Sequence, residues 1–504
     1  MANRALALSL LILSLSPLMG SMAQLETHQE QLLQSLRNQQ QHRLRAKTPC
    51  GIQQLQAREP THKHEYEAGS TEFWDASGKE FACAGIQFVR HTIQPKGLLL
   101  PYYTNAPQLV YIIKGSGIQE TVIPGCAETY ESGSSSYSAS ESEREKRQGE
   151  QGQGRRANDR HQKLRRFRQG DILALQPGVT NWAYNDGDTP IISVSIRDVA
   201  SEANQLDLEF RKFLLAGNPQ ATRNQGPHQE EEPYRDQQSK RGEQEGEEQQ
   251  QSNIFAGFEQ EFLAEVLNID PDIIRRLQGK EDNRGAIIRA ENLGLVLPEW
   301  GSQEQEREGG YANGLEETLC SLKIRENIEH PSKADVYNPR AGRVTRLNGH
   351  KLPILNHLRL SADRGILYRN AMMAPHWSIN SHTITYVIRG SARIQVVGNQ
   401  GKTVYDEEIQ EGQLLVVPQN FATVKKAGES GFEWIAFRTN HEAMIGQLAG
   451  RLSAIRAMPE EVLMNVYSVS RKDAGRLKNS REEATLLGPT NGGPQRPPQA
   501  ENRY

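Results

Sequence analysis

The sequence predicts a mainly β fold of two β-barrel (jelly-roll) domains, each followed by helices. Three observations carry this reading. Strand-like blocks punctuated by Gly, Pro and Asn occur twice, in the same order, far apart in the chain. A helical pattern trails each copy. Long Gln-, Glu- and Ser-rich stretches separate the blocks, and they dilute a chain of 504 residues to 36% hydrophobic and 24% charged.

The first element is an address. Arg4 precedes an apolar run from Ala5 to Leu15, Pro17 breaks the run, and Ser21-Met22-Ala23 supplies small residues before Gln24. This is the pattern of a signal peptide over residues 1–23, cleaved between Ala23 and Gln24. Export places Cys50, Cys83, Cys126 and Cys320 in an oxidising compartment, where an even set of thiols pairs. Four cysteines allow three connectivities. Cys50 and Cys83 look like a local staple, but spacing does not decide among the three. No N-x-[ST] sequon occurs. Past the N-terminus no apolar run is long enough to span a membrane, so no membrane partner is expected. With 59 Lys and Arg against 62 Asp and Glu, net -3, no positive field points to nucleic acid.

Along the rest of the chain, residues 24–42 are rich in Gln with scattered Leu, and 86–122 read as strands. Residues 131–163 turn polar, and strand pattern resumes at GDILALQPGVTNWAYN and IISVSIRDVA. Over 203–216, Leu206, Phe210, Phe213 and Leu214 share one face before Gly217 and Pro219, which predicts a helix. Residues 229–251 hold 7 Gln and 7 Glu in 23 positions and no aliphatic side chain. Such a segment cannot offset its ordering entropy and is expected to stay disordered. Helical pattern returns within 253–278, and a polar loop runs from Gly301 to Ala312.

The repeat fixes the layout. NAPQLVYIIKGSGIQETV (105–122) matches NSHTITYVIRGSARIQVV (380–397), with strands joined at Gly115 or Gly390. GDILALQPG (170–178) matches GQLLVVPQN (412–420). The first copy is 33 residues longer between these matches, about the length of the polar insert at 131–163. Helical pattern follows each copy, at 203–216 and 441–457. This layout resembles a bicupin.

A metal-using cupin needs three imidazoles and a carboxylate converging on one cation. In the first copy, 97–108 holds no His. Gln108 stands where the Glu belongs and Asn181 where the third His belongs, with Asn185 retained. The second copy offers His376 and His382, but Thr383 replaces the Glu and Thr423 the distal His. Asn and Thr are poor substitutes as ligands for a catalytic transition metal. No catalytic residue, metal or cofactor is therefore expected. G-x-S-x-G, phosphate-loop and H-E-x-x-H patterns are missing too. The competing reading is a metal-dependent cupin enzyme or small-ligand binder using a barrel interior.

The stretch NGLEETLCSLKIREN (313–327), after a Gln/Glu-rich loop, looks like the processing junction of legumin-type 11S seed storage globulins. The agreement extends to TPCGIQQLQAREP (48–60), to CAGIQFVRHTIQPKGLLLPYYTNAPQLVYIIKGSG (83–117), to the acidic insert and to the second barrel. The resemblance implies cleavage by an asparaginyl endopeptidase after Asn313, with Gly314 a new N-terminus. It implies disulfides Cys50–Cys83 within the first chain and Cys126–Cys320 between chains. It also implies trimers that become hexamers on cleavage, deposition in seed protein storage vacuoles, allergenicity, and a nutrient-reservoir role rather than catalysis.

The expected organisation is then an acidic chain over 24–298 and a processing loop over 299–313. A basic chain over 314–480 and a disordered tail over 481–504 follow. Charge supports the cut: residues 24–313 carry net -10 and residues 314–504 net +6. The helical segments 203–216, 253–278 and 441–457, each with an apolar stripe, are expected to make the trimer contacts.

Overall fold

A computed structural model describes residues 50–128, 130–132, 159–218, 253–279, 281–291, 293, 320 and 322–489. The signal peptide, the Gln/Glu-rich inserts over 133–158 and 219–252, the Asn313–Gly314 junction and residues 490–504 lie outside this set.

β-Branched and aromatic residues build the walls of the first barrel. In strands Ile86–Ile93 and Gly97–Thr104 burial follows one shared pattern, with one face turned to the interior. One sheet runs His62–Tyr66, Gly69–Phe73, Ile86–Ile93, Ile191–Asp198, Gln108–Lys114, Asp171–Leu175 and Arg325–Asn327. The facing sheet runs Lys212–Leu214, Gly97–Thr104, Thr180–Tyr184, Ser116–Val122 and Leu164–Arg168, with Ile287–Arg289 also on Gly97–Thr104. The ends of the polar insert form a small ribbon, Tyr130–Ser132 with Asp159–His161.

The second barrel repeats the plan in a 10-stranded sheet. Thr383–Val397 pairs with Thr403–Gln410, Leu414–Val417 and Ala422–Arg438, and the last of these also pairs with Ser361–Leu367 and Met372–Ser378. The hairpin glycines match in conformation: Gly115 has φ 87° and Gly390 φ 75°. A Cβ on Gly390 would sit 2.2 Å from the Gly431 carbonyl oxygen, so only glycine fits there.

Each barrel has the same extension. After the first, the short strand Lys212–Leu214 is followed by helices Gln260–Leu267 and Pro271–Gln278 and by the strand Ile287–Arg289. After the second come the strand Ile445–Gln447, the short helix Ala454–Ala457, helices Glu460–Tyr467 and Arg471–Asn479, and the strand Leu486–Leu487. In both, the two short strands cover one edge, that of Gly97–Thr104 or of Met372–Ser378. Left-handed Asn268 and Ser468 turn each helix pair.

Three expectations are corrected. Residues 203–216 are turns and a strand, not a helix. Asn105 accepts the Arg211 N–H (2.8 Å) and donates to the Glu209 carbonyl (2.8 Å), which steers Lys212–Leu214 onto the open strand edge. Pairing with that edge satisfies backbone groups that a helix would leave exposed there, and Phe213 stacks on Tyr103 at 4.9 Å. Most of 441–457 is likewise not helical, because Gly446 lies against the Trp377 ring and Gly450 has φ 89°. Finally, the tail does not begin at 481: Leu486 pairs with Met373 and Leu487 with Met372, so folded chain extends to 489.

The halves exchange segments. Residues before the first barrel cross to the second: the Leu55 N–H donates to Val404 (2.8 Å), and Arg58 and Leu414 bond reciprocally (2.8 and 2.9 Å). Leu55 is part of the second barrel's core. In return, Arg325–Asn327 adds a strand to the first barrel, flanked by buried Ile324 and Ile328. Between the barrels Phe88 stacks on Tyr386 at 5.6 Å and meets Phe437 edge-on at 6.1 Å. One apolar core therefore spans both domains.

Candidate functional site

Two places could carry function: the barrel interiors and the seam around the expected cleavage point.

In the first barrel, Gln108 and Asn181 do occupy interior positions, facing each other from opposite sheets with His91 and Gln119. The Gln108 amide donates to Thr104 Oγ1 (3.2 Å). Asn181 accepts from Thr121 Oγ1 (2.8 Å) and donates to the Val179 carbonyl (2.7 Å). Asn185 lies at the barrel's end, donating to the Ile93 and Thr189 carbonyls. His91 shares a hydrogen bond with Thr71 (2.8 Å). Burial, reinforced by Lys212 and Arg197, holds its imidazole well below the usual range, so it is neutral. An amide pair and one neutral imidazole offer a metal no anionic ligand.

The second barrel is filled by charge. His376 sits in register with Thr423, as the expected substitution of the distal His requires. Its Nδ1 bonds the Ala374 carbonyl (2.8 Å), and burial together with Lys425 pushes its pKa down to about 3. Thr383 shares a hydrogen bond with Ser378 and takes another from Arg438, whose Nε also holds Asp363 at 2.7 Å. Burial opposes ionisation of Asp363, but Arg438 and Arg346 outweigh it and keep the carboxyl below its usual range. Lys425 is buried with its ammonium 4.8 Å from the Trp434 ring centroid. Burial, then Arg438, brings its pKa down to about 7 against the weaker pull of Asp363. His382 lies at the rim, accepting from the Gln419 N–H at 3.3 Å, and so the structure does not bring it together with His376. Among the described residues no group of three or more His, Cys, Asp or Glu could hold a metal ion. The Asp363–Arg438–Lys425 cluster was not singled out from the sequence; adjacent Lys425 and Lys426 in a strand, forced onto opposite faces, were the available signal.

At the seam, disulfides join Cys50 to Cys83 and Cys126 to Cys320, with Cα separations of 5.0 and 5.5 Å. Gln162 clamps the turn before Cys126: its amide exchanges hydrogen bonds with Ile123 (2.8 Å each way) and donates to the Cys126 carbonyl (3.0 Å). Just beyond, Asp171 is fully buried and takes hydrogen bonds from the Arg168 N–H (2.9 Å), Arg325 (2.8 Å) and Asn327 (2.7 Å). The sequence after residue 320 is thus anchored to the first barrel immediately past the junction.

Two barrels related by an internal repeat define a bicupin, and the Cupin family pattern matches residues 55–221 and 326–474. The chain is 47% identical over 465 residues to 11S globulin seed storage protein 1 of Carya illinoinensis, covering 87% of this chain and 90% of the relative. It superposes on the recombinant pro-11S globulin of pumpkin with a TM-score of 0.73 at 41% identity, over 88% of this chain and all of that one. The crystal structure of the coconut allergen cocosin matches with a TM-score of 0.72 at 40% identity, covering 87% and 100%. The chain belongs to the 11S globulin family of seed storage proteins.

Proposed function

We propose that the protein is a nutrient reservoir with no catalytic activity, stored in protein storage vacuoles and drawn on for nitrogen. The observation that carries this reading is the replacement of the cupin ligand positions by Gln108, Asn181, Thr383 and Thr423, all built into hydrogen-bonded or packed interiors. Among the described residues no helix is long and apolar enough to cross a membrane.

An asparaginyl endopeptidase cuts between Asn313 and Gly314 and leaves an acidic and a basic chain joined by Cys126–Cys320. A relative solved as a pro-form supports processing of this kind. The copies assemble as trimers and, after cleavage, as hexamers. Support for the trimer comes from the two equivalent helical modules. The first exposes Phe258, Phe262, Val266 and Ile273, and the second exposes Val462, Val466, Tyr467 and Leu477. Large apolar side chains left exposed on one short helical module are what a contact surface needs. Two similar but non-identical faces per chain fit a head-to-tail ring, each first module meeting the second module of the next copy.

The test follows the protein through germination. Its amount per seed, measured by quantitative mass spectrometry, falls as the seedling grows. A constant amount while total seed protein declines would overturn the reservoir role.

A further inference from the structure

The two barrels meet at a charged cleft of about 340 Å³, to which each contributes side chains. Its buried part is fixed by a guanidinium. Arg364, with a side chain 5% exposed, donates to the Tyr111 hydroxyl (3.1 Å) and to Glu433 Oε2 (2.6 Å), and Tyr111 donates to Glu329 Oε2 (2.8 Å). Each carboxylate is thus held by one oxygen, and its Oε1 takes no hydrogen bond among the described residues. Both side chains reach solvent, 32% exposed for Glu329 and 25% for Glu433, so a solute in the cleft can approach them. Arg389 and Glu411 line the same cleft and are exposed, and neither forms an ion pair or a side-chain hydrogen bond among the described residues. Ile113 and Ile388, half-buried against the shared core, add an apolar patch. Three carboxylates against two guanidiniums leave one negative charge in excess.

We propose that this cleft binds a free basic amino acid, with its carboxylate on Arg389, its α-ammonium on Glu411, its alkyl stem along Ile113 and Ile388, and its side-chain cation on the open oxygens of Glu329 and Glu433. Charge narrows the choice. A basic amino acid carries one positive charge in excess, which matches the cleft, and it supplies an anion for the unpaired guanidinium as well as cations for the carboxylates. A polyamine brings no anion to Arg389. A simple carboxylic acid meets the excess negative charge, and a neutral amino acid leaves Glu329 and Glu433 without a cation. For a bare metal ion, no group of three or more His, Cys, Asp or Glu among the described residues is suited. The volume lies within the roughly 300–1,000 Å³ of small-molecule sites, enough for a whole amino acid. The inference is independent of the storage reading, which concerns the residues of the chain itself.

The contacts at Arg389 and Glu411 are solvated and each contributes little, so a dissociation constant on the order of a millimolar is expected. Saturation-transfer NMR on the full-length protein reads it, with L-arginine as the probe. Agmatine, which lacks the carboxylate, and citrulline, whose side chain is a neutral isostere, serve as controls. The wild type shows saturable transfer to arginine and binds both controls several-fold more weakly. Arg389→Gln weakens arginine about fivefold, the worth of one hydrogen-bonded contact, and leaves agmatine unchanged. Glu411→Gln weakens arginine and agmatine alike, since both keep the amine. Neither residue has a partner to lose, so both variants keep the fold. Absence of saturable transfer in the wild type would overturn the proposal. Arginine binding that is unchanged in both variants would place the ligand elsewhere, and citrulline binding as tightly as arginine would remove the role of Glu329 and Glu433; either result overturns it as well.

Discussion

Lys425→Met offers a quantitative test of how the second barrel is held. The ammonium is buried beside Arg438, with the Asp363 carboxylate opposing that repulsion, and its pKa falls from 10.5 to about 7. In the unfolded chain the lysine keeps its ordinary affinity for the proton. Between pH 7 and 10.5 the unfolded state therefore binds more protons than the folded state, and stability rises with pH across that window. Below about pH 7 both states are protonated and the full penalty applies. The shift corresponds to about 5 kcal/mol at most. Methionine keeps the length and packing of the side chain without the charge. Lys425→Met should therefore stabilise the protein by about 3–5 kcal/mol near pH 6–7, and the gain should shrink toward zero near pH 10.5. Urea unfolding of both proteins at pH 6.5, 8.5 and 10 measures the difference, so that tyrosines and other titrating groups cancel. A difference that does not change with pH, or a destabilised variant at pH 6.5, would refute the reasoning.

Three further outcomes follow from the seam and the helices. Because the Leu55 arm and the Arg325–Asn327 strand cross between halves, the processed Cys126→Ser/Cys320→Ser protein should keep its native mass in size-exclusion chromatography without denaturant; separation into two chains would contradict the exchange. Asp171→Ala removes three hydrogen bonds, including the one from the partly exposed Arg325 guanidinium, which should cost about 2–3 kcal/mol in denaturant unfolding. Phe262→Asp with Val466→Asp places charge on both exposed helical faces and should yield monomers by light scattering while leaving circular dichroism unchanged.

Much of the architecture is legible because a repeat is a long-range signal that periodicity cannot give. The matched hairpins at Gly115 and Gly390 name the same turn twice, and the positions of Gln108, Asn181, Thr383 and Thr423 follow from that register. The misses have physical causes. Leu206, Phe210, Phe213 and Leu214 fit helical spacing, yet an unpaired edge on Gly97–Thr104 overrides local preference. The exchanged segments join residues hundreds of positions apart, such as Arg58 with Leu414, and no local pattern encodes them.

We propose that one precursor, cut at Asn313, persists in seeds as two disulfide-linked chains. Intact-mass analysis of the purified seed protein under denaturing conditions, with and without reductant, tests it most directly. Without reductant the account predicts one species near the 56.6 kDa chain less its first 23 residues. With reductant it predicts two, an acidic chain starting at Gln24 and a basic chain starting at Gly314. A single full-length chain under both conditions would contradict the cleavage, and two chains without reductant would contradict the Cys126–Cys320 link.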